Sequence, residues 1–113
     1  MVKHRVLDSV FSALSDPVRR EIVERLTRGD FTAGEIASGF AISQPAVSRH
    51  IKVLEQCGLV KRKVVGREHH LHLSLRSMRA AAQWIEAQER FWNEAFDRLD
   101  TLLTQPSERT NKK

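Results

Sequence analysis

Residues 43 to 67 constrain the fold more than any other segment, because a short amphipathic helix is followed at once by a basic hairpin. The segment contains six Lys or Arg residues and one acid, Glu55, so its net charge of +5 equals that of the whole 113-residue chain. The other 88 residues balance 13 basic against 13 acidic side chains. Excess positive charge gathered on one helix and hairpin indicates a surface that meets a polyanion. Double-stranded DNA is the expected partner, because a helix fits its major groove and a basic ribbon can follow its phosphates.

Helix-start signals divide the rest of the chain. Asp16 stands before Pro17, and Thr32 is followed three residues later by Glu35, which is the pattern of a capping box. Ser43 is the expected cap of the basic helix. The predicted elements are helices over residues 5–14, from 17 to a stop at Gly29, over 33–38 and 43–57, strands over 59–65 and 68–75 joined at Gly66-Arg67, and a last helix over 77–103.

This order predicts a mainly α fold with a small β-hairpin wing, the winged helix-turn-helix layout. We expect a single domain over residues 1–104 and a disordered tail over 105–113, because SERTNKK is polar.

The helix over 43–57 has two distinct faces. Val47, Ile51 and Leu54 fall on one side at helical spacing and should pack inward. The opposite side is polar and basic, which is typical of a recognition helix, where Gln can bond an adenine edge and Arg a guanine edge. The side chains expected to contact DNA are Ser43, Gln44, Pro45, Ser48, Arg49 and Lys52 on the helix, and Lys61, Arg62, Lys63 and Arg67 on the wing.

Two other interpretations of the same residues stay open. The helix could be an amphipathic surface helix with a solvated basic side, and lysines often guard edge strands. Arg67 at the tip of the wing could enter a minor groove or remain solvated.

The chain closely resembles the ArsR family of bacterial winged-helix repressors over about residues 6 to 103. The resemblance rests on FSALSDPVRREIVERL, TAGEIA and SQPAVSRHIKVLEQCGLVKRKVVGREHHLHL, in family order and spacing. It implies a winged-helix homodimer that occupies a palindromic operator and represses its own promoter region. It also implies that the first and last helices form the dimer interface.

The last helix supports dimerisation on its own account, because a small winged core cannot easily cover its long apolar stripe. Pairing with the first helix of a second copy would bury the stripe, whereas in the alternative both helices fold onto their own domain. A dimer would place its two recognition helices about 34 Å apart, one turn of DNA. The residues expected at the interface are Val6, Leu7, Val10, Phe11, Leu14, Trp84, Ile85, Phe91, Trp92, Leu99 and Leu102.

The chain departs from the metal-sensing members of the family. Their Cys-x-Cys pair at the third helix is replaced by GEIASGF, and residues 77–103 contain no histidine for the site on the last helix. We therefore expect no metal site and no cofactor. His69, His70 and His72 could hold zinc, but they are better explained as polar strand residues near phosphates. Cys57 could be a redox switch or simply a small buried side chain.

Composition excludes several classes. There is no apolar segment near the roughly 20 residues of a membrane span, and the N-terminus lacks a signal-peptide core, so a cytoplasmic protein is expected. No catalytic constellation or phosphate-binding loop is visible, so we do not expect an enzyme. The leading hypothesis is a DNA-binding repressor without a metal site. The alternatives are the same repressor with an inducer sensed through His residues, Cys57 or a small ligand, and a protein-interaction module.

Overall fold

The computed structural model describes the backbone of residues 2–104 and the side chains of residues 5–104. The predicted tail over 105–113 lies outside the described residues. The elements are α1 (Val2–Ala13), α2 (Pro17–Leu26), β1 (Phe31–Thr32), α3 (Ala33–Ser38), α4 (Gln44–Gln56), β2 (Val60–Val65), β3 (Glu68–Leu73) and α5 (Leu75–Thr104). The mainly helical fold with a small wing is therefore confirmed. None of the described helices is long and apolar enough to cross a membrane.

The helix starts follow the predicted caps. The Asp16 carboxylate accepts hydrogen bonds from the backbone N–H groups of Val18 (2.8 Å) and Arg19 (3.1 Å). Thr32 and Glu35 form the reciprocal capping box, with distances of 2.8 and 3.1 Å. The Ser43 hydroxyl accepts from the N–H of Ala46 at 3.3 Å. Each cap satisfies backbone donors that a helix start leaves unpaired.

The sheet differs from the prediction in two places. Phe31 and Thr32 form a short strand, β1, that completes a three-stranded antiparallel sheet in the order β1-β3-β2. Leu75 begins α5 instead of ending the second wing strand. The sheet ends at Leu73, and the Ser74 N–H donates to the Leu59 carbonyl at 2.8 Å, which turns the chain into the helix.

The core lies between the helices and the sheet. It places side chains from α1, α2, α3 and α4 against the strands and the start of α5. Its buried members are Val10, Ala13, Ile22, Val23, Leu26, Ile36, Val47, Ile51, Leu54, Leu59, Val60, Leu71 and Ala81. The inward face predicted for the basic helix is thus confirmed.

Helix α1 corrects part of the expected interface. Val10 is 0 % exposed and belongs to the core of its own chain, so it has no surface to offer a second copy. Phe11 and Leu14 are partly buried against the same core, and Leu7 is half-buried. Val6 is exposed. The apolar face of α1 packs largely inward because α1 contacts α4.

The chain divides into two compact units, Met1–Ala81 and Ala82–Lys113. In the second unit, every described side chain except the half-buried Ala95 is exposed. The aromatic rings there contact one another, with Phe91 and Trp92 edge to face at 5.4 Å between centroids and Trp92 and Phe96 at 6.1 Å.

Candidate nucleic-acid interface

Helix α4 presents a continuous polar face to solvent. Its buried side holds Val47, Ile51 and Leu54 at 0–1 % exposure, which fixes the rotation of the helix. Every helix residue expected to contact DNA is exposed as a result, namely Ser43, Gln44, Pro45, Ser48, Arg49 and Lys52. Gln44 is the first residue of the helix, the position from which recognition helices approach base edges.

The wing strands separate their basic residues onto two faces. Lys61 lies opposite His72 and Lys63 opposite His70 in the antiparallel register, so these four side chains share the outer face. His70 also lies 3.1 Å from Glu68, an acid of the same strand face. Arg62 alternates with the two lysines and lies on the inner face with the buried Val60.

Arg62 lies at the surface, with its guanidinium paired to the protein. Its Nε donates to Glu55 Oε2 at 2.9 Å and its Nη2 to Glu55 Oε1 at 2.8 Å, a bidentate pair between the wing and the last turn of α4. Its Nη1 lies 2.9 Å from His69 Nδ1. Since a guanidinium only donates, that ring nitrogen accepts. The hydrogen bonds that Arg62 donates to Glu55 raise the pKa of Arg62 against a smaller opposing effect of burial.

Glu55 is the only acid between residues 43 and 67, and it is paired with Arg62. The other five basic residues of this segment therefore keep their positive charge unbalanced. Among the described side chains, the other basic groups of this segment form no hydrogen bond or ion pair with the protein and are exposed. These cations are Arg49, Lys52, Lys61, Lys63 and Arg67. Arg67 follows Gly66, whose φ of 63° forms the tight turn at the tip of the wing.

The turn before α4 is held by a side chain of α2. The Arg25 guanidinium donates to the Gly39 carbonyl at 2.9 Å and to Glu21 Oε2 at 2.6 Å. Its Cζ also lies 4.4 Å from the centroid of the Phe40 ring. A side chain on Gly39 would meet this guanidinium, since a Cβ there would lie 1.8 Å from Arg25 Nη1. Glycine at this position therefore leaves room for the arginine.

A second junction joins α1, α2 and α4. Arg19 donates to the carbonyls of Ala13 (2.6 Å) and Ser12 (3.3 Å), and its Nη1 lies 3.1 Å from His50 Nδ1. His50 Nδ1 is also 3.8 Å from Asp16 Oδ2. Partial burial acts to raise the pKa of Asp16, but the hydrogen bond from the Arg19 N–H, the nearby His50 and the Val18 N–H together lower it.

The residues considered for sensing do not gather in one place. No group of three or more His, Cys, Asp or Glu side chains within residues 5–104 could hold a metal ion. His69 bonds Arg62 while His70 bonds Glu68, on opposite faces of the strand. The Cys57 thiol is half-buried and donates to the Leu54 carbonyl at 3.4 Å, at the end of α4.

The structure adds three candidate residues that the sequence analysis does not include. Phe96 and Leu103 are exposed on α5 and continue the apolar stripe at helical spacing, which the 3.6-residue period could have revealed. In the sequence, Glu55 is only the one acid of the basic segment, with no sign of a partner. Its bond to Arg62 depends on the angle between helix and wing, for which no sequence signal exists.

Comparison with known proteins places this geometry in a family. Residues 14–63 match the family model of a helix-turn-helix domain. The HTH-type transcriptional regulator Rv2034 of Mycobacterium tuberculosis is 35 % identical over 91 % of this chain and 94 % of its own length. The transcriptional repressor SdpR of Bacillus subtilis is 35 % identical over 70 % of this chain and 88 % of its own. The solved ArsR-like transcriptional regulator from Rhodococcus sp. RHA1 superposes with a TM-score of 0.72 at 30 % identity, covering 90 % of this chain and 96 % of that one.

The chain belongs to the ArsR family of winged helix-turn-helix transcriptional regulators. The resemblance inferred from the sequence is confirmed. This is a family of DNA-binding regulators rather than of enzymes.

Proposed function

We propose that this protein is a homodimeric repressor that binds a palindromic operator through α4 and the outer face of its wing. The observation that carries the proposal is the set of five exposed, unpaired cations on α4 and the wing, next to the polar start of α4. Gln44 and Arg49 would contact bases, because their side chains can pair bidentately with adenine and guanine. Lys61 and Lys63 would contact phosphates, and Arg67 would follow the minor groove beyond the wing tip.

The apolar stripe of α5 supports a dimer. Trp84 and Trp92 are 45 % and 53 % exposed, and Ile85, Phe91, Leu99 and Leu102 are similarly exposed. A contiguous apolar patch of this kind is typical of a protein interface. Pairing of two copies through α5, with Val6 and the edges of Leu7, Phe11 and Leu14 on α1, would bury it and create the two-fold symmetry of a palindromic site.

We further propose that repression needs no metal ion in this member. The segment GEIASGF lacks the thiolates of the third-helix site, and α5 lacks histidine. A chain with these substitutions would respond to another signal or repress in proportion to its concentration.

The test is binding by fluorescence anisotropy at physiological salt. A duplex would be selected from a random library with the wild-type protein and compared with a shuffled duplex. We expect a preference of about 10³ or more for the selected duplex. Arg49→Ala should weaken the free energy of binding by about 1–3 kcal/mol on the selected duplex alone if the Arg49 contact is bidentate. Arg28→Ala, which removes an exposed arginine in the turn after α2, is the matched control and should bind as the wild type does.

Either of two results would reject the proposal. Equal losses for Arg49→Ala and Arg28→Ala would mean that α4 does not read bases. No binding to any duplex, even at low salt, would instead favour a module that binds protein through its exposed α5 stripe.

A further inference from the structure

We propose that Glu55 and Arg62 act as a positioning pair that locks the wing to the recognition helix and keeps Arg62 off the phosphates. The inference rests on the proposed DNA binding. It separates Arg62 from Lys61 and Lys63, its neighbours in sequence, which we assign to phosphate contact. Both residues of the pair serve specificity without touching DNA.

The geometry of the pair is that of a fixed joint. Two parallel hydrogen bonds of 2.9 and 2.8 Å connect the planar guanidinium to both oxygens of one carboxylate. A bidentate pair restrains orientation as well as distance. Contact with His69 Nδ1 at 2.9 Å holds the guanidinium from a third side. The relative exposures of the Arg62 and Glu55 side chains are 28 % and 26 %, while Arg62 as a whole residue is exposed at the surface. The restraint therefore comes from the bidentate geometry rather than from burial.

The joint spans the bend at which helix and wing change direction. Glu55 lies in the last turn of α4 and Arg62 is the third residue of β2. Between them Gly58 turns the chain with a φ of 85°, and Leu59 is fully buried. Core packing of Leu54 and Leu59 and the hydrogen bond from the Leu59 N–H to the Leu54 carbonyl (3.0 Å) hold the start of β2 against α4. Beyond that point the backbone of β2 bonds only β3, so the side-chain bond adds a restraint on the angle between the two DNA-contacting elements.

Fixing that angle favours the specific site over other DNA. A wing that is already in place loses less conformational freedom when helix and wing dock together. A released Arg62 would instead add a phosphate contact on every sequence, because phosphate contacts carry no sequence information. Opening the pair should therefore raise affinity for unrelated DNA and lower the ratio of specific to non-specific binding.

The test measures the salt dependence of affinity for the selected and shuffled duplexes in four proteins. Lys63→Gln, on the outer face of the same strand, is the matched control. It should flatten the log–log slope by about 0.9 per protomer. Arg62→Gln should leave the slope unchanged, because no phosphate contact is lost. Glu55→Gln should steepen the slope by up to about 0.9 per protomer. It should also lower the specificity ratio by about 2- to 10-fold.

A charge-swapped double variant, Glu55→Arg with Arg62→Glu, distinguishes a joint from a loose charge effect. It restores an ion pair across the bend and should recover most of the specificity ratio that Glu55→Gln loses. Circular dichroism at each salt concentration would confirm that every variant is folded.

The results separate the pair from the proposed function. If Arg62→Gln flattens the slope as Lys63→Gln does, Arg62 contacts phosphate and the positioning role is overturned while DNA binding stands. An unchanged slope and ratio in Glu55→Gln would overturn it as well. If the wild-type protein binds neither duplex, the proposed function fails and the positioning role fails with it.

Discussion

Gly39→Ala should destabilise the protein, although the backbone at this position suits alanine. The φ and ψ of Gly39 are −88° and 1°, which an L-residue adopts. Replacing glycine by alanine in a compatible conformation usually stabilises by about 0.4–1 kcal/mol. Here the new methyl group would lie 1.8 Å from Arg25 Nη1, so the guanidinium must leave its site. Whether Gly39→Ala stabilises or destabilises the protein therefore depends on the contacts that Arg25 loses.

The loss can be estimated from the contacts of Arg25. The hydrogen bond to the Gly39 carbonyl contributes about 1 kcal/mol and the stacking on Phe40 about 0.5–1 kcal/mol. The ion pair with Glu21, one turn earlier on α2, can persist in a new rotamer. Subtracting the backbone gain leaves a net destabilisation of about 1 kcal/mol, or about 4 °C in Tm for a chain of 113 residues.

A double-mutant cycle tests this explanation. Urea unfolding would be followed by circular dichroism at one protein concentration for wild type, Gly39→Ala, Arg25→Ala and the double variant. In the Arg25→Ala background, Gly39→Ala should be neutral or stabilising, which gives a coupling free energy of about 1–2 kcal/mol between the two sites. If Gly39→Ala changes the free energy of unfolding equally with and without Arg25, the steric argument is refuted.

Two further predictions concern the dimer and the junction of α1, α2 and α4. Trp92→Glu should weaken self-association at least tenfold, or about 1.4 kcal/mol, in sedimentation equilibrium, because it places a charge in the exposed apolar stripe. Asn93→Glu changes the exposed neighbour outside the stripe and should leave self-association unchanged. A monomeric wild type at micromolar concentration would contradict the dimer. The lowered pKa of Asp16 predicts that its carboxylate stabilises the fold above the unfolded value of 3.8, and that this stabilisation is lost as the pH falls through the folded pKa. The free energies of unfolding of wild type and Asp16→Asn, measured in urea from pH 6 down to about 3, should therefore differ by an amount that becomes smaller as the pH falls. A difference that stays constant would mean that the cap acts without its charge.

The proposed contacts differ in how far local sequence specifies them. Arg49 and Lys52 are exposed because the apolar period of α4 places Val47, Ile51 and Leu54 inward, and that period is written in the sequence. Lys61 and Lys63 share a face because strand side chains alternate. Arg62 follows the same alternation, but its partner lies on another element, so alternation alone does not reveal the bond to Glu55.

The sequence by itself determined the order of the five helices and two wing strands, the three helix caps and the basic surface. These features depend on residues within a few positions of one another: Asp16 caps the helix that begins beside it, and Thr32 reaches only to Glu35. The family resemblance depends on the same local patterns, and relatives at 35 % identity confirm it.

Only the tertiary structure decided which long-range partners meet. Phe31 and Thr32 became a strand because β3 offers them a paired edge, which no local propensity encodes. Val10 entered the core instead of a surface because α1 packs on α4. Arg62 left the set of free cations because the bend at Gly58 brings Glu55 to it. In each case the outcome depends on the distance between elements that are separate in sequence, and packing of the whole core sets that distance.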